Sequence, residues 1–421
     1  MGYEQFYLLL YSHWSIYFFS LLLSLISLYG IIKRYTLSWF DPLRIALVFS
    51  AFANSIPIFL LFMCEISVHD FVYFIFSEFL FWLGFCSFSS LFRNIKCVSK
   101  IKNEEECAFL FFFVCSILFI TEKLYIYGTV GIPLFLDSRL SVSIGSNGMG
   151  AFVRVEPFIL NYSLCYCIYA LFIKKKYGAR LIWVKFVFLF IFVSLLLSGS
   201  KSAFYSLFYI FFFFKYYISH VCISVKKYWK GITCGICLLI FTLFIAGNSN
   251  PLLTILLRLI ACGDIYWFSY PNENYTSIDI GGFNHLLQGI LGPLRLVDYD
   301  SLGRAIGMQL VTQVYDVTTN TGPNSRIPIV TYILLKNYGV ILSFLLGSLL
   351  SFMLYYIGGK IPKKSCVSLS LYCYIYQQSI SFITDPISGF SALFDIFLNL
   401  VLFLPIFLLL LNYISCKKGN V

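Results

Sequence analysis

Apolar stretches of about the length needed to cross a bilayer core, near 20 residues, recur along the chain. They lie at 14–32, 43–63, 70–92, 107–127, 155–173, 181–197, 202–220, 231–247, 338–357, 366–383 and 391–411. The pattern predicts an all-α integral membrane protein with about eleven spanning helices, within a range of ten to twelve. No cleavable leader pattern precedes the first stretch, which is therefore expected to stay as an uncleaved signal. Residues 1–421 read as a single polytopic membrane domain, with a first external loop at 128–150, a large external loop at 248–327 and the C-terminal helices of the bundle within 202–411.

The polar connections sort by charge. Lys33/Arg34, Arg93 to Lys102, Lys174 to Arg180, Lys226 to Lys230, Lys360 to Lys364 and Lys417/Lys418 fall on one side. Lysine and arginine accumulate in loops left in the cytoplasm, so that side is the cytoplasmic one. The other side receives Cys64 to His69, Tyr127 to Gly150, Ser198 to Lys201, the interval 248–327 and Thr384 to Phe390. This puts the N-terminus outside and the C-terminus inside.

Composition agrees: 60% of the residues are hydrophobic, 20% aromatic and only 12% charged, which excludes an ordinary soluble globule. The net charge of +11 is then a record of topology, and no nucleic-acid partner is implied. Cys115, Cys165, Cys167, Cys234, Cys237 and Cys373 lie inside apolar runs, where cysteine packs as a small hydrophobe. No spacing of cysteines suggests a metal site or a disulfide framework.

The interval 248–327 holds four arginines, Arg258, Arg295, Arg304 and Arg326, and no lysine. With Arg139 and Arg154 they lie in or beside external segments, against the topological bias. Guanidinium offers a planar fork of donors matched to phosphate and carboxylate oxygens, whereas lysine serves wherever charge alone is needed. The competing structural explanation is pairing with the interval's own carboxylates, Asp264, Glu273, Asp279, Asp298, Asp300 and Asp316. Inside the predicted spans, Gln377, Gln378, Asp395 and Asn399 are polar at expensive depths, and Asp395 and Asn399 share a helix face. They either join helices or line a slot, and joining is the better expectation.

The external segments have an ordered set of short motifs: SRLSVSIGSNGMGAF, with Arg139 and Gly150; LLLSGSKSAF two helices later; and, after the long interval, TGPNSRIPIVTYILLKNYGVILSFLLG. In order and spacing this resembles the bacterial O-antigen polymerases (Wzy) and, more distantly, the O-antigen ligases, over roughly residues 130–350. Lys201 stands where that family frequently has an arginine, and the second loop lacks the family's arginine-to-glycine spacing.

The resemblance implies a GT-C-like membrane glycosyltransferase at the periplasmic face of the bacterial inner membrane. Such an enzyme joins undecaprenyl-pyrophosphate-linked oligosaccharide repeat units during lipopolysaccharide O-antigen synthesis, without a nucleotide sugar or other cofactor. Its partners would be those lipid-linked glycans, membrane lipids, a chain-length regulator and a flippase.

That reaction needs a departing pyrophosphate stabilised and an acceptor hydroxyl deprotonated. The expectation puts Arg139, Arg295 and Arg326 in contact with the reacting groups, Arg139, Arg154 and Arg326 being placed at helix ends for the pyrophosphate and Arg295 and Arg304 for sugar hydroxyls or the second carrier. Asn324 orients sugar or pyrophosphate or makes a turn, and Arg154 and Arg258 have structural roles as the alternative. For the base, His285 is the only histidine of the long interval. Asp279, Asp298, Asp300 and Glu273 share the remaining weight. Asp298 and Asp300 read as substrate-binding rather than metal-binding, and no metal is expected. Stacking of Tyr266, Trp267, Phe268, Tyr270, Tyr275 and Tyr299 on sugars competes with seating at the membrane interface, and the interface is the expected place for 266–270. The rival classes are an O-antigen ligase and a polysaccharide flippase or other transporter, which would bind substrate at mid-membrane.

Overall fold

The computed structural model describes the chain apart from residues 93–103, 137–149, 175–177, 179, 199–200, most of 220–249, 279, 298–303, 318–321, 364 and 420–421. Among the described residues every regular element is a helix, and nine segments are long and apolar enough to cross a membrane. The protein is an all-helical, multi-pass membrane protein. Its contacts gather into two units that alternate along the chain. The first comprises Met1–Asn94, Ile240–Tyr356 and Gln378–Phe394; the second comprises Ile95–Leu239, Ile357–Gln377 and Asp395–Val421.

In the first unit α1 (Tyr3–Ser12) leads to α2 (Trp14–Tyr35), α3 (Pro42–Phe62) and α4 (Val68–Phe92). Helix α3 starts where its sequence dictates: Pro42 supplies a preset φ, and the Asp41 carboxylate caps the Leu43 N–H at 2.9 Å.

The second unit begins with α5 (Glu104–Thr129), α6 (Gly150–Ile168, prolonged by a π turn to Ile173), α7 (Arg180–Leu197) and α8 (Lys201–Ser219). Here α5 packs on α6 through Phe111 against Tyr162 and Phe112 stacked on Tyr166 at 4.5 Å. Cys107, Cys115, Cys165, Cys167 and Cys373 are buried as packing residues. Most of the helix expected at 231–247, Cys234 included, lies outside the described residues; Cys237, expected to pack within it, is described and exposed.

The interval 248–327 is mostly helical. It contains α9 (Pro251–Ile260), α10 (Asp264–Ser269), the single turns α11 (Phe283–Leu286) and α12 (Gln288–Leu291), and α13 (Ile306–Tyr315). Helices α9 and α10 meet at Gly263, where a Cβ would lie 2.7 Å from the Ala53 carbonyl, so only glycine allows the approach to α3.

Tyr266, Trp267 and Phe268 are fully buried, which corrects their expected place at a membrane interface. Trp267 stacks on Phe6 at 3.9 Å, and Tyr266 meets Phe74 edge-on at 5.5 Å. The cause is the apolar run 251–269 itself, which is span-like despite Arg258 and Asp264.

Next come α14 (Ile327–Leu335), α15 (Gly339–Ser351), α16 (Cys366–Ser379), α17 (Ser381–Thr384) and α18 (Pro386–Gly419). The apolar run from Ile327 is not one rod. Thr331 Oγ1 and Ser343 Oγ are 3.3 Å apart, although twelve residues of continuous helix would separate them by about 18 Å. The chain folds back at Lys336, whose φ of 51° and ψ of −134° suit glycine better. Helix α15 then packs along α4, where a Cβ on Gly84 or Gly347 would overlap the carbonyls of Phe344 and Phe81. Ser77 and Ser343 bond across this seam at 2.7 Å.

Candidate functional site

Among the described residues, the buried cation of the first unit is Arg326. It precedes α14, where Pro328 in the first turn needs no N–H partner. Only 4% of the residue is exposed. Its Nε and Nη2 both donate to the Cys262 carbonyl, at 3.2 and 2.8 Å, while Nη1 donates to Ser50 Oγ at 3.4 Å and the Ile383 carbonyl at 3.5 Å. One guanidinium thus ties α14 to the α9–α10 bend, to α3 and to α17. The Cys262 carbonyl lies at the end of a helical turn, where acceptors lack intrahelical donors, so a fork of donors suits it.

Arg326 belongs to none of the ion pairs among the described residues. At longer range it faces the carboxyl groups of Glu78, Asp264 and Asp385. Each of these carboxylates has its own donors. Glu78 accepts from Asn54 at 3.0 Å and Trp82 at 3.2 Å. Asp264 accepts from the Tyr3 hydroxyl at 3.1 Å and the Ile265 N–H at 3.0 Å. Asp385 accepts from the Ile387 N–H at 3.0 Å and the Ser388 hydroxyl at 2.9 Å. Burial pushes the Asp385 carboxyl above its ordinary value, against the opposing pull of these donors and of Arg326.

This geometry corrects the expectation that Arg326 presents its fork to a pyrophosphate. The fork points inward, onto main-chain carbonyls. His285, the expected base, is 1% exposed and lies within the turn α11.

The other arginines of the interval face out: Arg258, Arg295 and Arg304 are exposed, as is Asn324. Arg295 holds the left-handed position after α12, with φ of 54°. Its N–H bonds to the Gly292 carbonyl at 2.9 Å, and the Leu296 N–H to the Leu291 carbonyl at 3.0 Å. That is a Schellman turn, in which glycine is the usual occupant. Arg304 lends its carbonyl to Gln309 at 2.7 Å. Glu273 is exposed. Arg139, Asp279, Asp298, Tyr299 and Asp300 lie outside the described residues.

The second unit carries a charged cluster within its apolar helices. Arg154 on α6 pairs with Asp395 on α18 at 2.6 Å, and Lys123 on α5 pairs with Glu156 on α6 at 2.5 Å. Glu122, 5% exposed, faces Glu156, and its Oε1 has no hydrogen-bond partner. Asn399 donates to the Arg154 carbonyl at 3.1 Å and to Tyr374 at 3.0 Å, and Asn161 donates to Gln377 at 3.3 Å. Gln377, Asp395 and Asn399 therefore join helices. Arg154, expected at the substrate, is engaged with Asp395. Glu122, Lys123 and Glu156 were not singled out from sequence, though three ionisable residues inside predicted spans were the available signal.

No protein-family model, curated protein or solved structure matches this chain. What fold and site define is the class, a multi-pass helical membrane protein with one buried charged set around Arg326 at helix ends and a second set within apolar helices.

Proposed function

We propose that the protein is an O-antigen polymerase of the bacterial inner membrane, joining undecaprenyl-pyrophosphate-linked repeat units on the periplasmic side. The observation that carries this reading is the lysine-free interval 248–327, whose exposed cations Arg258, Arg295 and Arg304 are all arginines. Planar forks at a membrane surface suit the oxygens of a lipid pyrophosphate. In this reading Arg295 and Arg304, with Arg139, meet the substrate. Arg326 is a positioning residue that fixes the base of the interval. The order of the three motifs supports the same assignment.

Deletion of the gene tests it. A strain lacking a polymerase still makes lipopolysaccharide capped with a single repeat unit, seen as one band above the core on a gel. Loss of all capping instead points to a ligase or a flippase and removes the polymerase reading.

One observation favours a second reading, a transporter of lipid-linked glycan. Glu122, Lys123, Glu156, Arg154 and Asp395 all lie on helices long and apolar enough to span, and intramembrane charges commonly mark transport pathways. The same gel separates the two.

A further inference from the structure

In the second unit, the start of α5, the end of α6 and the start of α7 enclose a cleft of about 290 Å³. Its lining combines two chemistries. Glu105, Glu106 and Arg180 supply charge of both signs, and Phe109, Tyr166 and Val184 supply an apolar wall. The Arg180 guanidinium lies 4.9 Å from the centre of the Phe109 ring, which holds it against that wall. Glu105 is oriented by the Tyr169 hydroxyl at 3.3 Å and by Lys174 at 3.4 Å. The segments involved adjoin the lysine-rich connections that charge sorting places in the cytoplasm, so the cleft sits where an apolar helix surface gives way to lipid headgroups.

A ligand matching this lining carries an anion, a cation a few ångströms from it, and a hydrocarbon tail. We propose that the cleft binds a zwitterionic phospholipid with a primary ammonium, of the phosphatidylethanolamine class. The phosphate meets Arg180 beside the first N–H groups of α7, where helix polarity also favours an anion. The ammonium donates to the carboxylates of Glu105 and Glu106, and an acyl chain follows Phe109 and Val184. A quaternary choline headgroup has no N–H to donate, and a glycerol headgroup has no cation. The site therefore discriminates by hydrogen bonding as well as charge. This binding does not depend on the reaction proposed above.

The full-length protein, purified in mild detergent and exchanged into equal mixtures of phosphatidylethanolamine, phosphatidylcholine and phosphatidylglycerol of one chain composition, provides the test. Native mass spectrometry reads the lipid that stays bound. Wild type is expected to retain the ethanolamine lipid roughly tenfold over the choline lipid, the scale of one charge-assisted hydrogen bond. Glu105→Gln with Glu106→Gln should bring that ratio near one. Arg180→Gln should weaken retention of both phosphate-bearing zwitterions together. Equal retention of all three lipids by wild type overturns the proposal without any variant. An unchanged preference in the folded double variant overturns it as well, and preference for the glycerol lipid would show an anion site only, which also refutes it.

Discussion

Replacing Arg326 by lysine keeps a cation at the same place and removes the fork. The wild-type guanidinium makes four hydrogen bonds, two of them converging on the Cys262 carbonyl from Nε and Nη2. A single ammonium on a flexible stem cannot address Cys262, Ser50 and Ile383 together. At about 1.5 kcal/mol for a hydrogen bond made by a charged group, and with two of the four bonds kept, Arg326→Lys should destabilise the first unit by ~3 kcal/mol. Arg326→Met also removes the charge that Glu78, Asp264 and Asp385 face. It should cost more, ~3–5 kcal/mol, the range for stranding buried charge.

Thermal unfolding of the detergent-purified protein, followed by intrinsic fluorescence, ranks the three forms. The expected order of midpoints is wild type, then lysine, then methionine. Adding Glu78→Gln to Arg326→Met should restore part of the loss, because the two effects couple through the shared charge. An Arg326→Lys midpoint equal to wild type, with polymer lost, would falsify the structural assignment and return Arg326 to the substrate.

Two further substitutions separate packing from chemistry. Gly347→Ala places a methyl against the Phe81 carbonyl and must part α15 from α4, so a loss of ~1–3 kcal/mol is expected in the same unfolding assay; an unchanged midpoint means that the helices do not pack this closely. Arg295→Gly relieves a left-handed non-glycine residue in a Schellman turn and should leave stability unchanged or raise it by up to ~1 kcal/mol, while shortening the polymer if the guanidinium meets substrate. Full-length polymer from that variant excludes Arg295 from the site.

The apolar stretches were legible wherever a run of hydrophobic residues belongs to one helix. The stretch beginning at 338 is a good case, because α15 starts at Gly339 and the preceding apolar residues belong to the folded-back α14. The run 251–269 was hidden for the opposite reason. Arg258 and Asp264 interrupt it, and a polar interval follows, so it read as part of a loop. Tyr3, near the N-terminus, donates to Asp264, which lets the carboxylate sit among buried aromatics. Period and composition along one segment carry no trace of a partner 261 residues away.

The site divides along the same line. Sequence singles out the arginines of a lysine-free interval, but it cannot say which way a fork points. Exposure separates the two reasons for keeping them. Arg258, Arg295 and Arg304 face out, and for Arg295 and Arg304 the proposed reading assigns the preference over lysine to contact with substrate. Arg326 faces in, where a helix-end carbonyl from Cys262 explains it. The two reasons have different signatures. Arg→Lys at Arg326 should lower the unfolding midpoint and lose polymer only as the fold weakens. The same exchange at Arg295 or Arg304 should leave the midpoint alone and act on polymer directly.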